Sequence, residues 1–156
     1  MNLSSFITAE YIKIGLESED KDELFEELVD ILVRNKGYNR EELLAAVHAR
    51  EEKLSTGIGQ NIAIPHGKTD AVDGLVGVIG TSKTGIDYES LDDQPVHIVF
   101  MLLAPFDSSG PHIKALQRIA VLMKDRGLYK RLIEAPTAQD VNPLLASEEG
   151  RLESEE

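Results

Sequence analysis

Residues 95–105, "PVHIVFMLLAP", limit the fold of this chain more than any other stretch. Between the two prolines only His97 is polar. A strand with one face in water alternates apolar and polar residues, whereas a strand covered on both faces runs apolar almost without a break. This run therefore predicts a strand covered on both sides, which calls for helices in two layers around a sheet.

The rest of the chain supplies the parts for such a layered α/β domain. "YIKIGLE" (11–17) alternates Ile12, Ile14 and Leu16 with polar residues, the pattern of a strand with one buried face. Asp20 and Glu23 then form a capping-box pair ahead of Leu24, Phe25, Leu28, Val29, Leu32 and Val33 at helical spacing, and Gly37 supplies the stop. Asn39 and Glu42 repeat the start signal for a second helix. Its stripe of Leu43, Val47, Arg50 and Leu54 places an arginine on the apolar side, where it needs a partner. Beyond the turn "STGIG" come the strands "IAIPH" and "LVGVIG", then the 95–105 run. Helices follow at "PHIKALQRIAVLMKD", with Ser109 or Gly110 near its N-cap, and at "LYKRLIEA" after Gly127. Pro143 interrupts the pattern of a closing helix. The expected organisation is one domain over residues 1–146 and an acidic tail over 147–156.

The net charge of −12 is concentrated: residues 17–27 contribute −6 and residues 148–156 contribute −4, leaving a nearly neutral body. Both runs read as solvated surface. No basic stripe is present for a phosphate backbone, so nucleic acid is disfavoured as a partner. No apolar run approaches the length of a membrane span and no signal-peptide layout opens the chain, so the expectation is a cytoplasmic protein without membrane insertion. Cysteine is absent, which removes thiolate nucleophiles, disulfides and Cys-type zinc sites. Reactivity falls to four histidines.

His48 shares its helix stripe with Glu41, Ala45 and Glu52, a solvated face. His97 opens the buried strand and reads as a structural histidine. His112 stands in the first turn of a helix on the stripe of Leu116, Ile119 and Met123, so its ring is expected to point inward from a helix N-terminus, a place that suits anions. His66, in "NIAIPHGKTD", lies between a stiffening Pro65 and an unencumbered Gly67. The "GKT" at 67–69 does not complete a P-loop, and "GIGQNI" does not complete a dinucleotide fingerprint, because Ile62 occupies a required glycine position in both.

The segments "AREEKLSTGIGQNIAIPHGKTDAV", "IDYESLDDQPVHIVFMLLAP" and "HIKALQRIAVLM" resemble, in order, the fructose/mannitol-type IIA domain of the bacterial phosphoenolpyruvate-dependent sugar phosphotransferase system (PTS). The resemblance covers roughly residues 3 to 135 and extends to free-standing nitrogen-regulatory members of the family. It implies a mixed sheet of about five strands sandwiched by helices. It also implies a phosphocarrier in which His66 accepts a phosphoryl group from the phosphocarrier protein HPr and passes it to a IIB domain. On the same basis His112 is an accessory histidine and Arg50 stabilises phosphate, with no metal or other cofactor. Because no IIB or IIC domain is attached, the regulatory form of this function is expected, with a fructose/mannitol-class sugar-transport component as the alternative. A metal-dependent hydrolase built on His66, His112 and a carboxylate such as Asp70 is the third reading, disfavoured because zinc sites recruit three protein ligands at recognisable spacing.

Overall fold

The central strand of the computed structural model is β6 (Val96–Ala104), and it is covered on both faces as its composition requires. The structure describes residues 2–155; Met1 and Glu156, the outer ends of the predicted domain and tail, lie outside the described residues. On one face Ile98, Phe100 and Leu102 pack into a core shared with α3 (Ser109–Leu122), α4 (Arg126–Glu134) and α5 (Ala138–Ser154). On the other, Val99, Met101 and Leu103 pack under α1 (Lys21–Lys36) and α2 (Arg40–Glu51). The period-2 alternation of a strand thus explains why one continuous apolar run feeds two separate cores.

The described residues form a mixed six-stranded sheet. β1 (Ile12–Ile14) runs parallel to β5 (Val76–Ile86), and β5 is antiparallel to β6. The other side of β6 is occupied by two short parallel strands in succession, β3 (Ile62–Ala63) beside Ile98 and Val99 and β4 (His66–Lys68) beside Leu102 to Ala104. β2 (Gly57–Gly59) completes the edge, antiparallel to β3. The single strand expected at "IAIPH" is therefore interrupted at Ile64 and Pro65. Proline has no N–H to give to a ladder, although its carbonyl still accepts from Leu102 N at 3.0 Å.

Both predicted helix starts form. Asp20 accepts from Glu23 N and Asn39 from Glu42 N, each satisfying a donor in the first turn, and Gly37 closes α1 in the left-handed conformation at φ 70°. Two expectations fail. Leu54 does not extend the α2 stripe, because the helix ends at Glu51 and the side chain is exposed. The segment predicted to be a broken helix and a tail is instead α5, which passes through Pro143 and runs to Ser154. Val141, Leu145 and Glu149, spaced by four, are all buried. Their burial and the two bonds from Asn142 Nδ2 to the carbonyls of Ser4 and Ile7 offset the loss of one helical hydrogen bond at Pro143.

Candidate active site

β4 lies at the sheet edge, close against α2, and its three residues alternate in direction. His66 and Lys68 pair with Leu102 and Ala104 and share the face on which α3 packs, while Gly67 faces α2. A Cβ on Gly67 would stand 2.6 Å from the Ala46 carbonyl oxygen, so a residue without a side chain is needed for this approach. That contact brings Arg50, near the C-terminal end of α2, to the side of the His66 ring.

The local backbone fixes the chemistry of His66. Its Nδ1 lies 2.7 Å from the Ile64 carbonyl oxygen, which only accepts, so Nδ1 carries the proton and donates it. The lone pair of the neutral ring is left on Nε2. Burial lowers the pKa of this imidazole below its ordinary value and Arg50 lowers it further, against the opposing influence of the Ile64 carbonyl. The neutral, nucleophilic form is therefore the dominant one near neutral pH.

His112 stands edge-on to His66, with ring centroids 5.5 Å apart and an interplanar angle of 84°. It is only 3% exposed, and its Nε2 has no hydrogen-bond partner among the described residues. Burial, then His66, then Lys68 lower its pKa to about 4, so it too is uncharged at neutral pH. Arg50 Nη1 donates to the Leu54 carbonyl at 2.8 Å, which anchors one arm of the guanidinium. The expectation that Arg50 needs a partner is met by this backbone oxygen. Together with Lys53, Lys68 and Phe106, the three residues line a cleft of about 440 Å³.

The other histidines are elsewhere. His97 Nδ1 bonds the Ser82 carbonyl at 2.7 Å, as a structural histidine should. His48 is half-exposed and lies edge-on to Phe25. Asp70 is engaged by the backbone N–H of Phe106 at 3.2 Å, and no group of three or more His, Cys, Asp or Glu side chains among the described residues is arranged to hold a metal ion.

Two residues beside this cleft were not singled out in the sequence. Glu51, buried, accepts from Thr56 N at 2.8 Å and from the hydroxyls of Thr56 and Tyr88, and pairs with Lys21 Nζ at 3.3 Å. These bonds close the turn that carries Leu54, the anchor of Arg50. Lys68 was read only as part of a failed P-loop, although its position two residues beyond His66 on a strand signals a shared face.

A family model described as "Phosphoenolpyruvate-dependent sugar phosphotransferase system, EIIA 2" matches residues 5–148. The chain belongs to this EIIA 2 family. It is 40% identical over 136 residues to the PTS system fructose-specific EIIABC component of Bacillus subtilis, covering 86% of this chain but only 21% of that much longer protein. It is 34% identical to the nitrogen regulatory protein of Bradyrhizobium diazoefficiens, over 94% of this chain and 95% of that one. The crystal structure of nitrogen regulatory protein IIA-Ntr from Neisseria meningitidis superposes with a TM-score of 0.85 at 27% identity, covering 92% of this chain and 98% of that one. EIIA 2 domains are phosphotransferase components, and among the described residues of this one no helix is long and apolar enough to cross a membrane.

Proposed function

We propose that this EIIA 2 domain is a cytoplasmic phosphocarrier in which His66 Nε2 accepts a phosphoryl group from HPr and holds it for a IIB domain or as a regulatory signal. The observation that carries this reading is the bond from His66 Nδ1 to the Ile64 carbonyl, which frees Nε2 as the nucleophile in a cleft shared with Arg50 and His112.

The step balances without a metal or an external base. The Nε2 lone pair of neutral His66 forms a bond to phosphorus as the N–P bond of the donor phosphohistidine breaks and its electron pair returns to the donor ring. If the donor ring keeps a proton on its other nitrogen, as His66 does on Nδ1, the two rings exchange charge states and no proton moves between them. The phosphorylated His66 ring then gains positive character, and its Nδ1–H bond to the Ile64 carbonyl strengthens accordingly. A loose transition state asks for in-line positioning and for donors on the equatorial oxygens. The free arm of Arg50 and the N-terminal end of α3 serve that purpose, and His112 Nε2 is the adjacent ring atom without a partner.

Incubation with Enzyme I, HPr and phosphoenolpyruvate, followed by intact mass at neutral or mildly basic pH, tests the reading. One phosphate is expected on the parent and on His48→Ala and none on His66→Ala; undiminished labelling of His66→Ala overturns it. Discharge of the labelled protein separates the two outlets. Rapid transfer to a fructose-type IIB domain supports the sugar-transport form, and a label retained in its presence supports the regulatory form.

A further inference from the structure

We propose that Lys68 is a direct phosphate ligand, held by Ser109 at rest and transferring its ammonium group to a phosphoryl oxygen when His66 is loaded. The proposal rests on the phosphocarrier reading of His66 and adds to it a residue with a stated movement.

Three observations carry it. First, His66 and Lys68 are separated by one residue on β4, so their side chains leave the strand on the same face, and both line the cleft that contains His112 and Arg50. Second, the Lys68 Nζ donates to the Ser109 hydroxyl at 2.7 Å. Ser109 opens α3 three residues ahead of His112, so this exposed bond holds the ammonium beside the helix that carries His112. Third, no carboxylate among the described residues lies within ion-pair distance of Lys68, in a chain that carries a net charge of −12 and pairs Lys13, Lys21 and Arg40 with acids. The resting partner is a neutral hydroxyl, which a phosphoryl dianion outcompetes through a charge-assisted bond. Lys68 is also, after burial and His66, the third influence that lowers the His112 pKa, in keeping with a positive charge near the cleft.

The chemical consequence is a clamp of two different kinds. Arg50 approaches from α2 with a planar fork already fixed on one arm by Leu54, and Lys68 approaches from the strand as a point charge on a flexible stem. The arginine sets geometry, and the lysine follows the phosphoryl group as it moves from the donor nitrogen to Nε2. Lys68 remains an ammonium throughout and makes or breaks no covalent bond.

The variants Lys68→Met, Lys68→Arg and Ser109→Ala test this, each loaded from HPr with Enzyme I and phosphoenolpyruvate. Lys68 is exposed, so its replacement leaves the core intact. Peptide mapping is expected to find one phosphate on His66 in all three. Lys68→Met should load about tenfold more slowly, Lys68→Arg should recover much of that loss, and Ser109→Ala should load at least as fast as the parent because it releases the lysine. In ³¹P NMR titrations the phosphoryl group of Lys68→Met should protonate at a higher pH than that of the parent, since an adjacent cation favours the dianion. A structural tie between β4 and α3 predicts the opposite pattern, with Ser109→Ala as slow as Lys68→Met and no change in the titration, and that result overturns the proposal. So do parent-like rates and titration in Lys68→Met. Absence of phosphate from His66 in the parent overturns the phosphocarrier reading itself, a failure recognisable before any variant is compared.

Discussion

Arg50 combines an anchored arm with a free one. Nη1 is held by the Leu54 carbonyl, and the remaining donors of the fork stay available to an anion in the cleft. Lysine keeps the charge but lacks the planar fork, so its single ammonium cannot stay on the carbonyl and also offer two parallel donors to the phosphate. Arg50→Lys is therefore expected to unfold at the same urea concentration as the parent but to transfer from HPr more slowly, by about ten- to a hundredfold. A normal rate with lowered stability would make Arg50 a tie for the turn and nothing more. A proline, a helix start and an apolar stripe set His66, His112 and Arg50 apart in the sequence, but the roles expected of them came from the family resemblance. Glu51 had no such setting: within "AREEK" it is one acid among charged neighbours, and only the return of the chain to Thr56 and Tyr88 buries it. Lys68 was hidden differently, since its spacing from His66 has meaning only once residues 66–68 are known to be a strand.

Among the elements, β4 controls the site through its packing on α2. Gly67→Ala would direct a methyl group at the backbone carbonyl of Ala46, and neither backbone has a flexible end to yield. The expected result is a loss of about 1–3 kcal/mol in urea unfolding, the usual range for overpacking, together with slowed loading of His66 as β4 moves away from Arg50. Gly74→Ala, where an added Cβ meets nothing within 4 Å, is the matched control and should change stability by less than about 0.5 kcal/mol. Equal stabilities and loading rates for the two variants would remove the close-approach explanation. The same dependence on tertiary contact accounts for α5. Pro143 carries a local cost of about 3 kcal/mol in a helix interior, and the sequence shows that cost plainly. The compensation is remote: Glu149 accepts from Leu3 N at 2.7 Å and Ser4 N at 3.0 Å, contacts made 146 and 145 residues away. The acidic character of residues 148–156 conceals that one of their carboxylates is fully buried and satisfies the first turn of the chain.

At the scale of the whole molecule, the cleft draws on both layers and on the sheet edge between them, with Arg50 from α2, His112 from α3, and His66 and Lys68 from β4. The site exists only in the folded chain, so the protonation of its buried ring is coupled to global stability. Folded His112 takes up a proton only near pH 4, whereas an unfolded histidine does so near 6.5. Between those values the unfolded state binds more protons than the folded one, so stability falls as pH is lowered through this window and rises again as pH is raised. Above the unfolded value both states are neutral and the penalty vanishes; below about 4 both are charged and the penalty is constant. A shift of this size corresponds to about 3 kcal/mol when complete. Protonation of carboxylates such as Glu27 and Glu51, whose folded pKa values are also lowered, adds loss in the same direction at lower pH and must be subtracted. Glutamine does not titrate, so the difference between the parent and His112→Gln isolates the ring. Urea unfolding at pH 7.5 and 4.5 should show the parent losing about 2–3 kcal/mol more than His112→Gln over that interval. Parallel losses in the two proteins would mean that His112 protonates in the folded state as readily as in the unfolded one, and that its buried position beside His66 does not keep it neutral.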